Sequence, residues 1–316
     1  MLSTNLAGDN GGGGPIDFLW IELTNQCNLQ CTHCYAESGP RSGVGDKLNR
    51  NKYRQLVMEA LEVGCRRIQF IGGEPTLNRD LADLIKLAAN IGYTFIEVFT
   101  NLTRLPLELL RCFREHSVHV ATSVYGPTAA VHDEITGVHG SFCKTIGNLR
   151  ILIREGIPVR AGVIQMPSNI GQTEETIQFL QAMGVQNVGT DRVRHFGRGA
   201  GGGQSSLAEL CGNCAENTLC VGADGRVSPC IMSKIWSVGS VLETPLTQLA
   251  RSEHLASLRK EIYRTVVEPL RNTGADPEEI QTICTPKTCS PYESCSPKSG
   301  PGPCAPSNCR PCFPQG

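Results

Sequence analysis

Hydrophobic positions along the chain follow two alternating spacings, which predict strands and helices in turn. Short apolar runs predict strands over residues 18–23, 67–71, 94–99, 118–124, 159–165 and 188–193. Apolar residues at helical spacing predict helices over residues 53–63, 81–91, 105–115, 142–154 and 174–183. Such alternation is typical of a parallel sheet with right-handed crossovers, in which ligands bind at the carboxyl ends of the strands. The pattern therefore predicts an α/β fold built from six βα units.

Glycine-rich and cysteine-rich segments divide the chain into parts. Glycines are dense between residues 197 and 203, which predicts a boundary because glycine weakens the interior of any element. A further helix is predicted over residues 245–260. The predicted parts are a flexible N-terminus (1–15), a first domain (16–200), a second region (204–265) and a Cys/Pro-rich tail (266–316). We expect no leader-binding domain before the first strand.

Composition excludes several classes of protein. With 316 residues and 40% hydrophobic content, the chain can bury a large core. Its formal net charge is −1 and it has no basic run, so we expect no nucleic-acid partner and no membrane surface. It has neither a signal-peptide pattern nor an apolar stretch of roughly 18 residues, so we expect a cytoplasmic protein. There, the 16 cysteines are more typical of metal ligands than of disulfides.

Three of these cysteines, Cys27, Cys31 and Cys34, lie close together after the first predicted strand, with Tyr35 behind them. Thiolates are the protein ligands that hold iron–sulfur clusters. Three cannot complete a tetrahedral zinc site or the four-cysteine set of a ferredoxin, so one iron of a four-iron cluster would stay open for another ligand. The competing interpretation is a zinc knuckle or a chance group of cysteines.

The spacing Cys-x3-Cys-x2-Cys-Tyr resembles the signature of the radical SAM superfamily. The resemblance implies a partial (β/α)6 barrel and a 4Fe–4S cluster on these three cysteines, whose open iron binds the amino and carboxylate groups of S-adenosylmethionine (SAM). It also implies an enzyme that cleaves SAM reductively to a 5′-deoxyadenosyl radical, which takes hydrogen from a substrate. A flavodoxin- or ferredoxin-type partner would supply the electron.

A second motif, Gly72-Gly73-Glu74-Pro75, follows the second predicted strand. It resembles the GGE motif of the same superfamily. A backbone without side chains can approach a cofactor closely, and the Glu74 carboxylate would bind the ammonium group of SAM. By the same resemblance, Tyr35 belongs to the cofactor-binding loop.

Polar residues after the third and fourth predicted strands extend this resemblance. Thr100 and Asn101 follow the third strand, and Ser123, which the resemblance places against the SAM ribose, ends the fourth. Val163 on the fifth strand would lie against adenine. An aspartate usually stands where this chain has Tyr125, so the local substrate contacts should differ from those of relatives. The alternative is that Thr100, Asn101 and Ser123 only cap neighbouring helices.

Two arginines, Arg192 and Arg194, close the sixth predicted strand. Strand alternation puts both guanidinium groups on one face, where they could converge on the barrel mouth and bind a substrate carboxylate or phosphate. We therefore predict a catalytic role for both residues. The alternative is a pair of solvated arginines in salt bridges with the following helix.

A second group of cysteines, Cys211, Cys214, Cys220 and Cys230, follows the glycines. Its spacing resembles the start of the SPASM or twitch extensions of the superfamily, which bind an auxiliary 4Fe–4S cluster. Four thiolates would complete such a cluster, and structural zinc is the alternative. The tail adds six Cys-x-Pro units, which begin at Cys284, Cys289, Cys295, Cys304, Cys309 and Cys312. For the tail, a second auxiliary cluster, bound zinc and disorder all stay open.

These features together predict a radical SAM enzyme of specialised metabolism. The favoured substrate is an anionic, sugar-containing small molecule, for example a uronic-acid nucleoside that loses CO₂. The basic sixth strand would suit such a substrate, and the chain resembles in general the cytosylglucuronate decarboxylases of actinobacterial antibiotic pathways. The alternative is a maturase of ribosomal peptides that forms thioethers, carbon–carbon crosslinks or epimers. A remote alternative is a zinc-stabilised binding protein without radical chemistry.

Overall fold

The computed structural model of the chain describes residues 16–43 and 45–272. Its strands are β1 (Phe18–Glu22), β2 (Arg67–Ile71), β3 (Phe95–Phe99), β4 (His119–Ser123), β5 (Val159–Gln165), β6 (Asn187–Arg192), β7 (Thr218–Val221), β8 (Arg226–Ser228) and β9 (Gly239–Ser240). The first six agree with the predicted strands to within one residue at either end. Strands β7 to β9 are outside the predicted pattern because such short runs carry little periodicity.

The nine described strands form one sheet in the order β6-β5-β4-β3-β2-β1-β7-β8-β9. All neighbours from β6 to β7 are parallel, and β8 and β9 continue the sheet in antiparallel pairs. This confirms the predicted α/β fold, with a parallel sheet of the partial-barrel type. Because parallel strands end at the same edge of a sheet, the loops after β1 to β6 meet there.

Helices connect the first six strands, and three more described helices follow the last strand. They are α1 (Arg50–Glu62), α2 (Leu81–Ile91), α3 (Leu107–Glu115), α4 (Ala129–Thr136), α5 (Ser141–Arg154), α6 (Thr173–Ala182), α7 (Leu246–Leu249), α8 (Glu253–Ile262) and α9 (Glu268–Asn272), and a π-helical turn (Tyr263–Val267) joins the last two. The short α4 is absent from the predicted helices. The single helix predicted over residues 245–260 is two helices, because Ser252 starts a new one by accepting a hydrogen bond from the Leu255 N–H (3.2 Å).

The centre of the sheet is fully buried. β1 lies between β2 and β7, and all of its residues are buried, as expected for an apolar strand in a parallel sheet. One charged group inside the core is paired: the Glu97 carboxylate accepts hydrogen bonds from Gln69 and from Arg160 Nε (2.8 Å). Pairing offsets the desolvation cost of the buried carboxylate.

Several predictions fall on parts of the chain that the structure does not describe. These are the flexible N-terminus (1–15) and, within the predicted tail, residues 273–316 with all six Cys-x-Pro units. The described residues lie in one compact unit, and the division into a first domain and a second region stays a prediction. Among the described helices, none is long and apolar enough to cross a membrane.

Candidate functional site

The cysteine loop, residues 23–39, leaves the carboxyl end of β1. Its first turn is held by Asp46, whose carboxylate accepts a hydrogen bond from Thr24 Oγ1 (2.6 Å). Its middle is held by the last turn of α4, where the Thr136 carbonyl accepts from the Gln30 N–H (2.9 Å). The loop therefore has a defined shape although it contains no regular secondary structure.

The three cysteines of this loop are brought together. Cys27 is buried, Cys31 and Cys34 are half-buried, and each of the first two lies close enough to the other thiols to interact electrostatically. Burial, with the neighbouring thiols, raises the pKa of Cys27 to about 11 and that of Cys31 to about 12. Thiolates at these positions therefore need a positively charged partner, which an iron–sulfur cluster supplies.

Two N–H donors surround the Cys27 sulfur. The backbone N–H of Leu29 lies 3.4 Å from Sγ, and the Asn101 amide nitrogen lies 3.7 Å from it. Such hydrogen bonds to sulfur are part of the environment that tunes an iron–sulfur cluster. The donor set of the loop therefore fits a cluster ligated by thiolates.

The glycines of the second motif pack against the cysteine loop. Gly73 N–H donates to the Thr24 carbonyl (2.7 Å), and Glu74 N–H donates to the Gln26 carbonyl (2.9 Å). A side-chain carbon at Gly73 would lie 2.2 Å from the Gln26 carbonyl oxygen, and one at Gly72, whose φ is +137°, would lie 2.6 Å from the Thr24 carbonyl oxygen. Glycine is thus required at both positions by the close approach of the cysteine loop. The sequence pattern did not indicate this reason.

The Glu74 carboxylate lies beneath these glycines with no exposed surface. Oε1 accepts from Thr76 N–H (3.0 Å), Thr76 Oγ1 (2.6 Å) and Thr100 Oγ1 (2.7 Å), and Oε2 accepts from Asn101 N–H (2.8 Å). Burial raises the pKa of this carboxyl, and the four hydrogen bonds oppose that rise. Glu74 therefore ties the loop after β2 to the end of β3, and its contact with an ammonium group stays a prediction.

Tyr125 stands between the end of β4 and the cysteine loop. Its side chain is buried, it is hydrogen-bonded to Ser123, and its ring meets the His33 ring edge-on at 4.8 Å. The ring nitrogen Nδ1 of His132 accepts from the Tyr125 N–H (3.3 Å). Burial and the nearby thiols keep the pKa of the phenol well above its usual value, so this position holds a neutral group.

The side chain of Val163 on β5 is fully buried, and Ser123 pairs in register with Gly162. Since alternate residues of a strand face opposite sides, Gly162 and Ile164 share the face of Ser123 and Val163 lies on the other face. A contact between Val163 and adenine stays a prediction.

The two arginines after β6 are engaged in ion pairs. Arg192 Nη1 donates to Glu209 (2.9 Å), and Arg194 donates to both oxygens of Asp191 (3.0 and 3.1 Å) and to the Glu209 carbonyl (2.5 Å). Both guanidinium groups therefore have acidic partners in this structure, and a role for them in binding an anionic substrate stays a prediction. Salt bridges were the alternative expectation, with partners on the following helix. The observed partners lie instead at the end of β6 and in the segment before Cys211.

The four later cysteines form a second group. Cys214, Cys220 and Cys230 are buried, and Cys211 is half-buried. The Cys214 thiol donates a hydrogen bond to Cys230, which raises the pKa of Cys214 and lowers that of Cys230 to about 7. Cys211 interacts with Cys214, and Cys220 with Cys230.

A structural zinc ion, the alternative for these cysteines, has different geometric requirements from an iron–sulfur cluster. Zinc draws its ligands to about 2.3 Å from one point. Within residues 16–43 and 45–272, no three His, Cys, Asp or Glu side chains surround a position suited to one metal ion. In an iron–sulfur cluster each thiolate binds a different iron, so the ligands need not converge on one point.

Two links between the site's segments were missed by sequence reasoning. Glu22 at the end of β1 accepts hydrogen bonds from Lys234 and from the Tyr35 hydroxyl (3.3 Å), which joins the later cysteine segment to the first. Arg198 Nε donates to the Cys31 carbonyl (2.8 Å) from within the glycine-rich segment. The sequence did contain two indications of these links. Glu22 is an acidic residue at the end of an apolar strand, and Arg198 is a basic residue within a glycine-rich segment.

Comparison with known proteins identifies this arrangement. Residues 21–182 match the radical SAM superfamily, and residues 207–284 match the SPASM iron–sulfur cluster-binding domain. The chain belongs to the radical SAM superfamily. The matches confirm the predicted enzyme class and its cofactors, SAM and iron–sulfur clusters.

Curated relatives of this radical SAM enzyme share part of its length. PqqA peptide cyclase from Rhodopseudomonas palustris is 25% identical over 58% of this chain and 48% of the relative. The subtilosin biosynthesis protein AlbA from Bacillus subtilis is 27% identical over 57% and 40%. The AdoMet-dependent heme synthase from Oleidesulfovibrio alaskensis is 29% identical over 52% and 42%. The chain thus spans less than half the length of these relatives.

A solved structure shares the fold. SuiB from Streptococcus suis, bound to the precursor peptide SuiA, superposes with a TM-score of 0.64 at 13% sequence identity, over 78% of this chain and 67% of that chain. At this identity the likeness shows the fold alone. It agrees with the parallel sheet and loop arrangement described above.

Proposed function

We propose that this radical SAM enzyme modifies a peptide, forming a thioether, a carbon–carbon crosslink or an epimer. The ion pairs of Arg192 and Arg194 favour a peptide over an anionic sugar, because both guanidinium groups already have carboxylate partners. That weakens the reason for favouring an anionic sugar. A peptide cyclase and a bacteriocin biosynthesis protein among the relatives support a peptide substrate.

A small molecule is the second candidate substrate. The heme synthase among the relatives favours it, and the Arg192 side chain is 55% exposed, so its ion pair with Glu209 is weak enough to exchange for a substrate anion. The two candidates differ in the compound that stimulates turnover.

Cys27, Cys31 and Cys34 are the proposed ligands of the SAM cluster. When bound, the cluster and SAM supply the radical that takes hydrogen from the substrate. Asn101 donates to the Cys27 sulfur, and the Gly72-Gly73 backbone fixes the loop that carries the thiols. Buried Tyr125 and half-buried Ser123 lie beside the loop, where they restrict water near the reacting atoms.

Cys211, Cys214, Cys220 and Cys230 are the proposed ligands of an auxiliary 4Fe–4S cluster. The mutual contacts of their thiols and the SPASM match support this assignment. We also propose the division into a barrel over residues 16–200 and an auxiliary region over residues 204–265. A flavodoxin- or ferredoxin-type donor is the proposed source of the electron.

Release of 5′-deoxyadenosine by the reconstituted, reduced enzyme tests the proposal. Candidate precursor peptides and uronic-acid nucleosides are added separately, with Cys31→Ala as the inactive control. Stimulation by a peptide, followed by a mass change in that peptide, is the expected result. Stimulation by the sugar acid alone would overturn the peptide assignment, and no release from the unaltered enzyme would overturn the assignment of the SAM-cluster ligands.

A further inference from the structure

Arg259 is a buried cation with no carboxylate partner among the described residues. It lies on α8, and only 3% of its surface is exposed. Its Nη2 donates to the Thr218 carbonyl (2.9 Å), while its Nε has no hydrogen-bond partner. Among the residues that the structure describes, no carboxylate forms an ion pair with it. A buried charge of this kind is unfavourable unless a compensating negative charge lies nearby.

The surroundings of Arg259 point to the source of that charge. Helix α8 packs against the turn Asn213–Ala215, which carries Cys214. The guanidinium group interacts electrostatically with Cys214, and the carbonyl that it binds begins β7, the strand of Cys220. Arg259 thus lies beside Cys214 and is hydrogen-bonded to the strand that carries Cys220.

The four cysteines beside Arg259 supply a balancing negative charge when they hold a cluster. A cluster held by four thiolates carries net negative charge in the same place, and charge and hydrogen bonds at the sulfurs are what set its reduction potential. An N–H group with no partner beside the ligands is a suitable donor for such a cluster.

We propose that Arg259 is the counter-ion of the auxiliary cluster and raises its reduction potential. This inference rests on the proposed assignment of Cys211, Cys214, Cys220 and Cys230 as the cluster ligands. The positive charge stabilises the reduced cluster, which carries one more negative charge, more than the oxidised cluster. Arg259 therefore acts through the cluster and has no contact with substrate in this role.

The test measures the auxiliary cluster by itself. The full chain with Cys27→Ala, Cys31→Ala and Cys34→Ala keeps only the later cysteine group, and its potential is measured by an EPR-monitored redox titration. Arg259→Met, Arg259→Lys and Lys260→Met are compared in this background. Lys260 is the matched control, because it is the next residue of α8 and is exposed.

We expect Arg259→Met to shift the potential to a more negative value or to lose the cluster, Arg259→Lys to shift it less, and Lys260→Met to leave it unchanged. A cluster whose potential is the same in Arg259→Met and the parent overturns the inference, as does an equal shift in Lys260→Met. If Arg259→Met does not fold, the test uses Arg259→Lys. A reduction potential in Arg259→Lys identical to that of the parent then overturns the inference. A parent without any cluster overturns the ligand assignment itself, and the inference with it.

Discussion

At the scale of the residue, the site depends on side chains that connect motifs distant in sequence. Asn101 follows β3, yet its amide reaches Cys27 after β1, and its backbone N–H binds Glu74 after β2. Its carbonyl oxygen atom Oδ1 accepts from Thr103, which fixes the orientation of the amide. One residue thus orders three loops around the first cysteine.

Replacing Asn101 should change the SAM cluster. In Asn101→Ala the Cys27 sulfur loses a donor, which should lower the reduction potential by about 40 mV, the equivalent of ~1 kcal/mol for one electron. The measurement is a redox titration of the EPR signal that responds to SAM. Asn148→Ala is the control, because Asn148 donates to the Leu102 carbonyl and does not touch a cysteine. An unchanged potential in Asn101→Ala would contradict the assigned role.

The Glu22–Lys234 pair gives a second prediction at this scale. Glu22 is fully buried and the Lys234 side chain is 28% exposed, so Lys234→Met should cost about 1–3 kcal/mol of unfolding free energy, less than a fully buried pair. In Glu22→Gln/Lys234→Met no charge is left unpaired, so the double variant should lose less than the two single variants together. Urea unfolding of all three under anaerobic conditions measures this coupling, and additive losses would argue against it.

At the scale of the element, the loop after β2 supports the cysteine loop through close backbone contact. Both glycines of the motif touch Thr24 or Gln26, and Glu74 anchors the loop from below. The motif is therefore part of the scaffold of the cluster site as well as a candidate cofactor contact.

An added methyl group tests this scaffold. Gly73→Ala forces the two loops apart, so the chain should lose about four iron atoms, one 4Fe–4S cluster, while it keeps the auxiliary cluster. Iron analysis with EPR checks this. Gly147→Ala on α5 is the control: no atom lies within 4 Å of the added carbon. That change should raise stability by about 0.5–1 kcal/mol, since alanine is the better helix former. Full iron content in Gly73→Ala would disprove the scaffold role.

At the scale of the whole molecule, the barrel and the later cysteine segment share one sheet. β7 pairs with β1, the strand that delivers the cysteine loop, and Glu22 joins the two segments at the end of these strands. The later segment therefore covers an edge of β1 that would otherwise be an apolar strand open to water.

Truncation tests this dependence. A chain that ends at residue 203 exposes the β1 edge, so we expect it to aggregate or to bind no cluster at Cys27, Cys31 and Cys34. A chain that ends at Ile283 keeps the compact unit and should stay folded. Soluble yield, circular dichroism and iron content distinguish the two chains. A soluble short chain with an intact SAM cluster would show that β7 is dispensable.

The sequence alone determined the first six strands, the helices α1 to α3, α5 and α6, the parallel sheet and both cysteine groups, because periodicity and ligand spacing are local properties of the chain. Only the tertiary structure decided which residues of neighbouring strands face each other and which charged residues form pairs. It put Gly162 beside Ser123 and Val163 on the other face of β5, and it paired Arg192 and Arg194 with acids. It also buried Arg259 beside Cys214. Such contacts join residues far apart in sequence, so no local pattern records them.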